Sequence, residues 1–119
     1  MNLNHIHLQV RDLGAAVGWF EKVLQLQPGF RNEMMATFSF ASMTLILDSA
    51  GVDAVATVGF ESDDCDRDFR AVTERGAVGL EAPADKPWGV RTAYFKGPGG
   101  LKCEIEGPVV RAKAGHDGY

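Results

Sequence analysis

The stretch Leu3-Asn4-His5-Ile6-His7-Leu8-Gln9-Val10, closed by Arg11-Asp12, decides how the rest of the chain is read. Side chains of a strand alternate between two faces. One face carries Asn4, Ile6, Leu8 and Val10, mostly apolar and suited to packing under a helix. The other carries Leu3, His5, His7 and Gln9. Two imidazoles and an amide in a row can coordinate, donate or accept, and all point the same way. A strand facing plain solvent more often carries Thr, Lys or Glu there. The pattern points to a wet, concave surface.

Working outward, Asp12 is expected to cap a helix through its side-chain oxygen. Ala16, Phe20, Val23 and Leu24 recur at helical spacing, with Trp19 beside them, so a helix is expected over Leu13 to Leu26. Pro28-Gly29 is read as its stop. Three short strands follow, Phe30 to Glu33, Ala36 to Ala41 and Met43 to Asp48. After the turn Ser49-Ala50-Gly51 the order begins again with a strand over Ala54 to Glu61. Ser62, Asp63 or Asp64 is positioned to cap a second helix, whose positive end suits Asp66 and Asp68 and whose last turn is Arg75-Gly76. A strand over Ala77 to Glu81, a loop over Ala82 to Gly89 marked by Pro83 and Pro87, and strands Val90 to Lys96 and Leu101 to Glu106 complete the set. Gly97-Pro98-Gly99-Gly100 is the tight turn between the last two. The tail Val109 to Tyr119 has no periodicity and is expected to be loose.

The chain is therefore a repeat of two β-α-β-β-β modules, 1–50 and 51–108, within one domain spanning 1–119. Sliding by fifty residues sets His5 against Val55; sliding the last strands by fifty-eight sets Ile46 against Glu104. The fold class expected is α+β: a half-open, mixed-sheet barrel with helices outside and a concave cup inside. The His5, His7, Gln9 face would line the cup.

Composition limits the function. A chain of 119 residues, 45% hydrophobic, supports a packed core. A formal net charge of −4 and the lack of a basic stripe argue against nucleic-acid binding. No apolar run approaches a membrane span, and the N-terminus lacks a signal-peptide pattern. Cys65 and Cys103 form no disulfide framework, so a cytoplasmic setting is expected. Cys103 alternates away from Glu104 and reads as a small core residue.

Three stretches resemble the vicinal oxygen chelate superfamily, the group of glyoxalases, bleomycin-resistance proteins and extradiol dioxygenases. They are Leu3 to Leu13 with Trp19-Phe20, Pro87-Trp88-Gly89-Val90-Arg91, and Tyr94 to Ile105 around the closing turn. The resemblance covers about residues 1 to 108. It implies a homodimer, with sites shared between chains in many members, and a small-molecule ligand. The superfamily's metalloenzymes take up to four ligands from the first and last strands of each module. Carried over, those positions are His5 and Glu104, with Ile46 and Val55 at the two that have no donor atom. The closing turn departs as well, with Gly97 and Gly99 where relatives often carry aspartates.

Two functions follow. One is a bleomycin-resistance-like protein that holds a small planar or amphipathic molecule without a complete metal site. The other is a lyase, isomerase, dioxygenase or thiol transferase using a divalent ion (Zn, Mn, Fe or Ni) on His5 and Glu104, with His7 as a third ligand. Glu104 and His7 are then the catalytic candidates, as ligand or base and as proton carrier. The ligand contacts expected are His5, His7, Gln9, Trp88 and Arg91. Trp88 would stack on a planar ring and Arg91 would clamp a carboxylate or phosphate. The plainer readings are an edge plug for Trp88, a solvated or structural role for Arg91, and a hydrogen bond or ion pair for His5 and Glu104. Met34, Met35, Phe38, Phe40 and Met43 read as core or dimer packing, or as an adaptable apolar wall.

Overall fold

The computed structural model describes residues 5–109. The first module runs β1 (His5–Val10), α1 (Leu13–Val23), β2 (Phe30–Arg31), β3 (Met35–Ser39) and β4 (Thr44–Ser49). The second runs β5 (Ala56–Glu61), α2 (Cys65–Glu74), β6 (Val78–Asp85), β7 (Arg91–Lys96) and β8 (Leu101–Gly107). The sheet orders are β1-β4-β3-β2 and β5-β8-β7-β6. Each is the same permutation, in which the module's last strand lies beside its first. The class is α+β, built from two similar modules. Contacts divide the chain into two compact units. One runs to Ala56 and adds Gly97–Leu101; the other holds Thr57–Lys96 and the chain from Lys102.

In the first unit β1 runs parallel to β4, and β3 antiparallel to it. Leu8, Val10, Ala36, Phe38, Leu45 and Leu47 form the buried face. Leu13, Ala16, Val17, Phe20 and Val23 form the buried stripe of α1. Phe20 stacks on Phe38 with centroids 5.0 Å apart. Asp12 caps α1 as expected, its Oδ1 accepting from Ala15 N–H at 3.0 Å. The helix ends at Val23, three residues before the expected Leu26. The Leu24 and Leu26 amides both donate to Phe20 O, and Gln25 takes the left-handed φ of 57°. The backbone has turned before Pro28 is reached.

The second unit packs α2 against β6 and β7, and its buried side chains include Ala93, Phe95, Cys103 and Ile105. Of the three candidate caps, Asp64 takes the role, accepting from Arg67 N–H at 3.0 Å. β6 extends to Asp85 through residues read above as loop. It is the edge of its sheet, where Pro83 can be tolerated without breaking an inner ladder, and its pairing slips twice, at Gly79/Glu81 and Glu81/Ala84.

The turn Gly97–Gly100 belongs to the first unit. Gly99 has φ 59°, and a side chain there would collide with Asp53. One on Gly100 would collide with the Ala54 carbonyl. Asp53 itself accepts from Arg11 N–H at 2.9 Å. The departure from aspartate at Gly99 thus has a local cause: another carboxylate already fills that space.

Candidate functional site

The alternation read from β1 is present: His5, His7 and Gln9 are exposed, while Leu8 and Val10 are buried. Ile6 is the exception on the packing side, at 37% exposed near the strand's start. The parallel register sets His5, His7 and Gln9 opposite Thr44, Ile46 and Asp48. Those three share one side of β4, because Leu45 and Leu47 point to the core. On this open face His7 Nδ1 lies 2.6 Å from Asp48 Oδ2. The His5 and His7 rings meet edge to face, centroids 5.4 Å apart.

A carboxylate only accepts hydrogen bonds, so Asp48 fixes the proton of a neutral His7 on Nδ1. Nε2 is then an acceptor, and among the described residues it has no hydrogen-bond partner. Asp48 was absent from the residues singled out by sequence. Its signal was parity: it lies two residues from Ile46, on the same face.

In the second unit Glu104 stands on the open side of β8, opposite Tyr94 in register. Its Oε2 accepts from Tyr94 O–H at 2.7 Å. That bond, and then burial, raise the phenol's pKa above its ordinary value. Lys102 Nζ sits 4.3 Å from the Tyr94 ring centroid. Gly59 leaves room beside the carboxylate; a Cβ there would be 3.5 Å from Oε1. Cys103 is fully buried, and burial pushes its thiol up to about 12. Cys65 is raised to about 11, mainly by burial.

Trp88 lies in the turn closed by Gly89 N–H to Lys86 O, 69% exposed. Arg91 is engaged within its own unit. Nε and Nη2 donate to the two oxygens of Asp66 at 2.8 and 3.0 Å, and Nη1 to Asp85 at 3.1 Å. This pairing holds the Asp66 carboxyl below its usual range. A cavity of about 410 Å³ at the start of α2 is lined by Asp63, Asp64, Asp66 and Arg67. Its carboxylates are already used: Asp64 caps the helix, Asp66 holds Arg91, and Asp63 holds Arg67 at 2.6 Å.

A family model described as "Glyoxalase/Bleomycin resistance protein/Dioxygenase superfamily" matches residues 2–105. The chain belongs to that superfamily. A glyoxalase/bleomycin resistance protein/dioxygenase from Nocardioides superposes with a TM-score of 0.79 at 26% identity, over 92% of this chain and 85% of that one. TioX from Micromonospora sp. ML1 does so with 0.78 at 20%, over 92% and 100%. Lactoylglutathione lyase from Agrobacterium tumefaciens gives 0.77 at 18%, over 89% and 92%. The last two likenesses are of fold. No curated protein matches in sequence.

Tested against the superfamily's four ligand positions, this chain does not supply the set. Ile46 is a half-buried hydrocarbon on β4. Val55 precedes β5 and is 93% exposed. Neither side chain has an atom that can bind a metal ion. Glu104 already accepts from Tyr94. Among the described residues no group of three or more His, Cys, Asp or Glu side chains is placed to hold a metal ion. No helix among them is long and apolar enough to cross a membrane.

Proposed function

We propose that this member of the glyoxalase superfamily binds a small planar or amphipathic molecule on the open face of its first sheet, without a complete metal site. His5, His7 and Gln9 are the ligand contacts. The observation that carries the reading is the His7–Asp48 pair beside Ile46. An oriented polar group next to hydrocarbon suits an organic ligand that needs both. The hydrocarbon at Ile46 occupies a position where a metalloenzyme of the superfamily would need a donor.

The competing reading is a metal-dependent lyase, isomerase, dioxygenase or thiol transferase through His5 and Glu104. Metal analysis of purified protein, with and without His5→Ala, separates the two. Substoichiometric metal in both proteins is expected. Stoichiometric metal that disappears in the variant would overturn the proposal.

We also propose that the chain forms a homodimer. The edge strand β6 leaves Val78 and Leu80 60% and 49% exposed, which favours an apolar partner surface. Sedimentation at micromolar concentration is expected to give twice the 12.9 kDa chain mass. A monomer at that concentration would refute it.

A further inference from the structure

We infer that the molecule bound on the first sheet presents a proton-donating O–H or N–H on a planar ring, and that His7 Nε2 accepts it. The inference rests on the proposal that this face binds a small molecule; it adds the polarity of the contact and hence the ligand class.

The argument starts at Asp48. Its Oδ2 lies 2.6 Å from His7 Nδ1, a distance that requires a proton between them. The carboxylate has none to give, so the imidazole donates. With its one N–H spent on Asp48, the outward nitrogen of the imidazole in its neutral form presents a lone pair. A ligand that offers only an acceptor there, such as an ether or a carbonyl, meets that lone pair with another. A ligand that offers a hydroxyl or a ring N–H completes an Asp–His–donor chain.

The surroundings select for a ring. Ile46 lies directly opposite His7 in the parallel register, and Thr37 lies opposite Ile46 on the next strand. Met35, half-buried, lies opposite Asp48. The register therefore sets Ile46 beside His7, and Met35 beside the Asp48 that pairs with it, as hydrocarbon on the same sheet. A flat molecule lying on that hydrocarbon brings a hydroxyl at its edge to the imidazole. Asp48 is a positioning residue here, because it acts on the ligand only through His7.

A matched pair of probes tests this: 2-naphthol, and 2-methoxynaphthalene, which keeps the ring and loses the donor. Calorimetric titration of the full chain is expected to favour naphthol by about fivefold to tenfold, the range for one hydrogen bond made or left unmade. Asp48→Asn removes the fixed polarity, because an amide offers both an acceptor and a donor to Nδ1. The preference is expected to shrink to about twofold or less in that variant. His7→Phe is expected to abolish the preference while still binding methoxynaphthalene, which shows that the hydrocarbon surface is intact. Long-range ¹H–¹⁵N spectra supply a readout without ligand. His7 is expected to carry its proton on Nδ1 in the parent and to show mixed tautomers in Asp48→Asn. Equal binding of the two probes by the parent, or a parent His7 protonated on Nε2, would overturn the inference and leave the binding proposal standing. Failure of both probes to bind would overturn the binding proposal, and this inference with it.

Discussion

Helix α1 buries Leu13, Ala16, Val17, Phe20 and Val23, whereas α2 buries only Cys65 and Val72. The two helices occupy the same place in the same β-α-β-β-β order, yet α1 lays down a broad buried stripe while α2 buries less and carries several ion pairs. Asp66 reaches Arg91 on β7, Asp68 accepts from Ser62, and Arg67 bridges Asp63 and Asp68. In the second unit Cys65, Asp66, Arg67, Asp68, Arg91, Tyr94 and Cys103 have clearly displaced pKa values. The open faces divide in the same way. At matched positions the first module has His5, His7, Gln9 and Ile46; the second has Val55, Thr57, Gly59 and Glu104. The repeat preserves which way a side chain points and leaves its chemistry free. Of the positions carried over from the resemblance, each module has a donor side chain at one and a hydrocarbon at the other.

The contrast is broken most directly through the cores. Phe20→Ala removes a fully buried ring stacked on Phe38 and is expected to destabilise by about 3–5 kcal/mol in urea unfolding. Val72→Ala, under α2, is expected to lose about 2 kcal/mol from two missing carbons. Equal losses would show that hydrocarbon supports both helices alike.

Both cysteines lie in the second unit. The Cys103 value in the fold, about 12, lies above the ordinary 9.0. Its contribution is complete below pH 9 and is lost as pH rises toward 12, with about 2–3 kcal/mol gone by pH 11. Cys65, raised to about 11, adds to the same limb. Unfolding free energies from pH 7 to 11 are expected to fall steeply in the parent and to flatten in Cys65→Ala/Cys103→Ala. An unchanged slope in the double variant would detach the alkaline limb from the thiols.

Arg91→Met strips Asp66 and Asp85 of their partner. Solvent screens both carboxylates, each a third or more exposed, so the expected loss is about 1 kcal/mol at pH 7. Asp66 is depressed in the fold chiefly by its hydrogen bond to Arg91. The stability it supplies is therefore present above its ordinary 3.8 and disappears as pH falls through the lowered value. The gap between parent and variant is expected to narrow from pH 5 to pH 2. A gap that widens in acid would reverse the sign of the pairing.

What could be read from the chain follows the same division between direction and partner. Period two in Leu3 to Val10 identified the exposed His5, His7 and Gln9. The offsets of fifty and fifty-eight hold, because Leu8 and Val58 lie on matching sides, as do Leu45 and Cys103. These are local properties of backbone alternation. Asp12 as a cap was equally local. The Asp48 partner of His7 and the Asp66 partner of Arg91 were not read. They lie 41 and 25 residues away, and only the strand order brings them near. β6 ran past Pro83 for a similar reason, since a proline's cost depends on whether its strand is an edge. The early end of α1 turned on Gln25, a residue type that gives no stop signal. The tail after Val109 lies outside the described residues.

The smallest effects decide what the two polar pairs are for. Tyr94–Glu104 joins half-buried residues, whereas the His7 side chain is 53% exposed in its pair with Asp48. Double-mutant cycles with Tyr94→Phe/Glu104→Gln and His7→Phe/Asp48→Asn are expected to give couplings of about 1 kcal/mol and about 0.3 kcal/mol, respectively. A pair that contributes so little to stability while fixing the proton of an exposed imidazole has its use in orientation. A His7–Asp48 coupling as large as that of Tyr94–Glu104 would make it a structural brace, and would remove the ground on which a ligand is proposed for the first sheet.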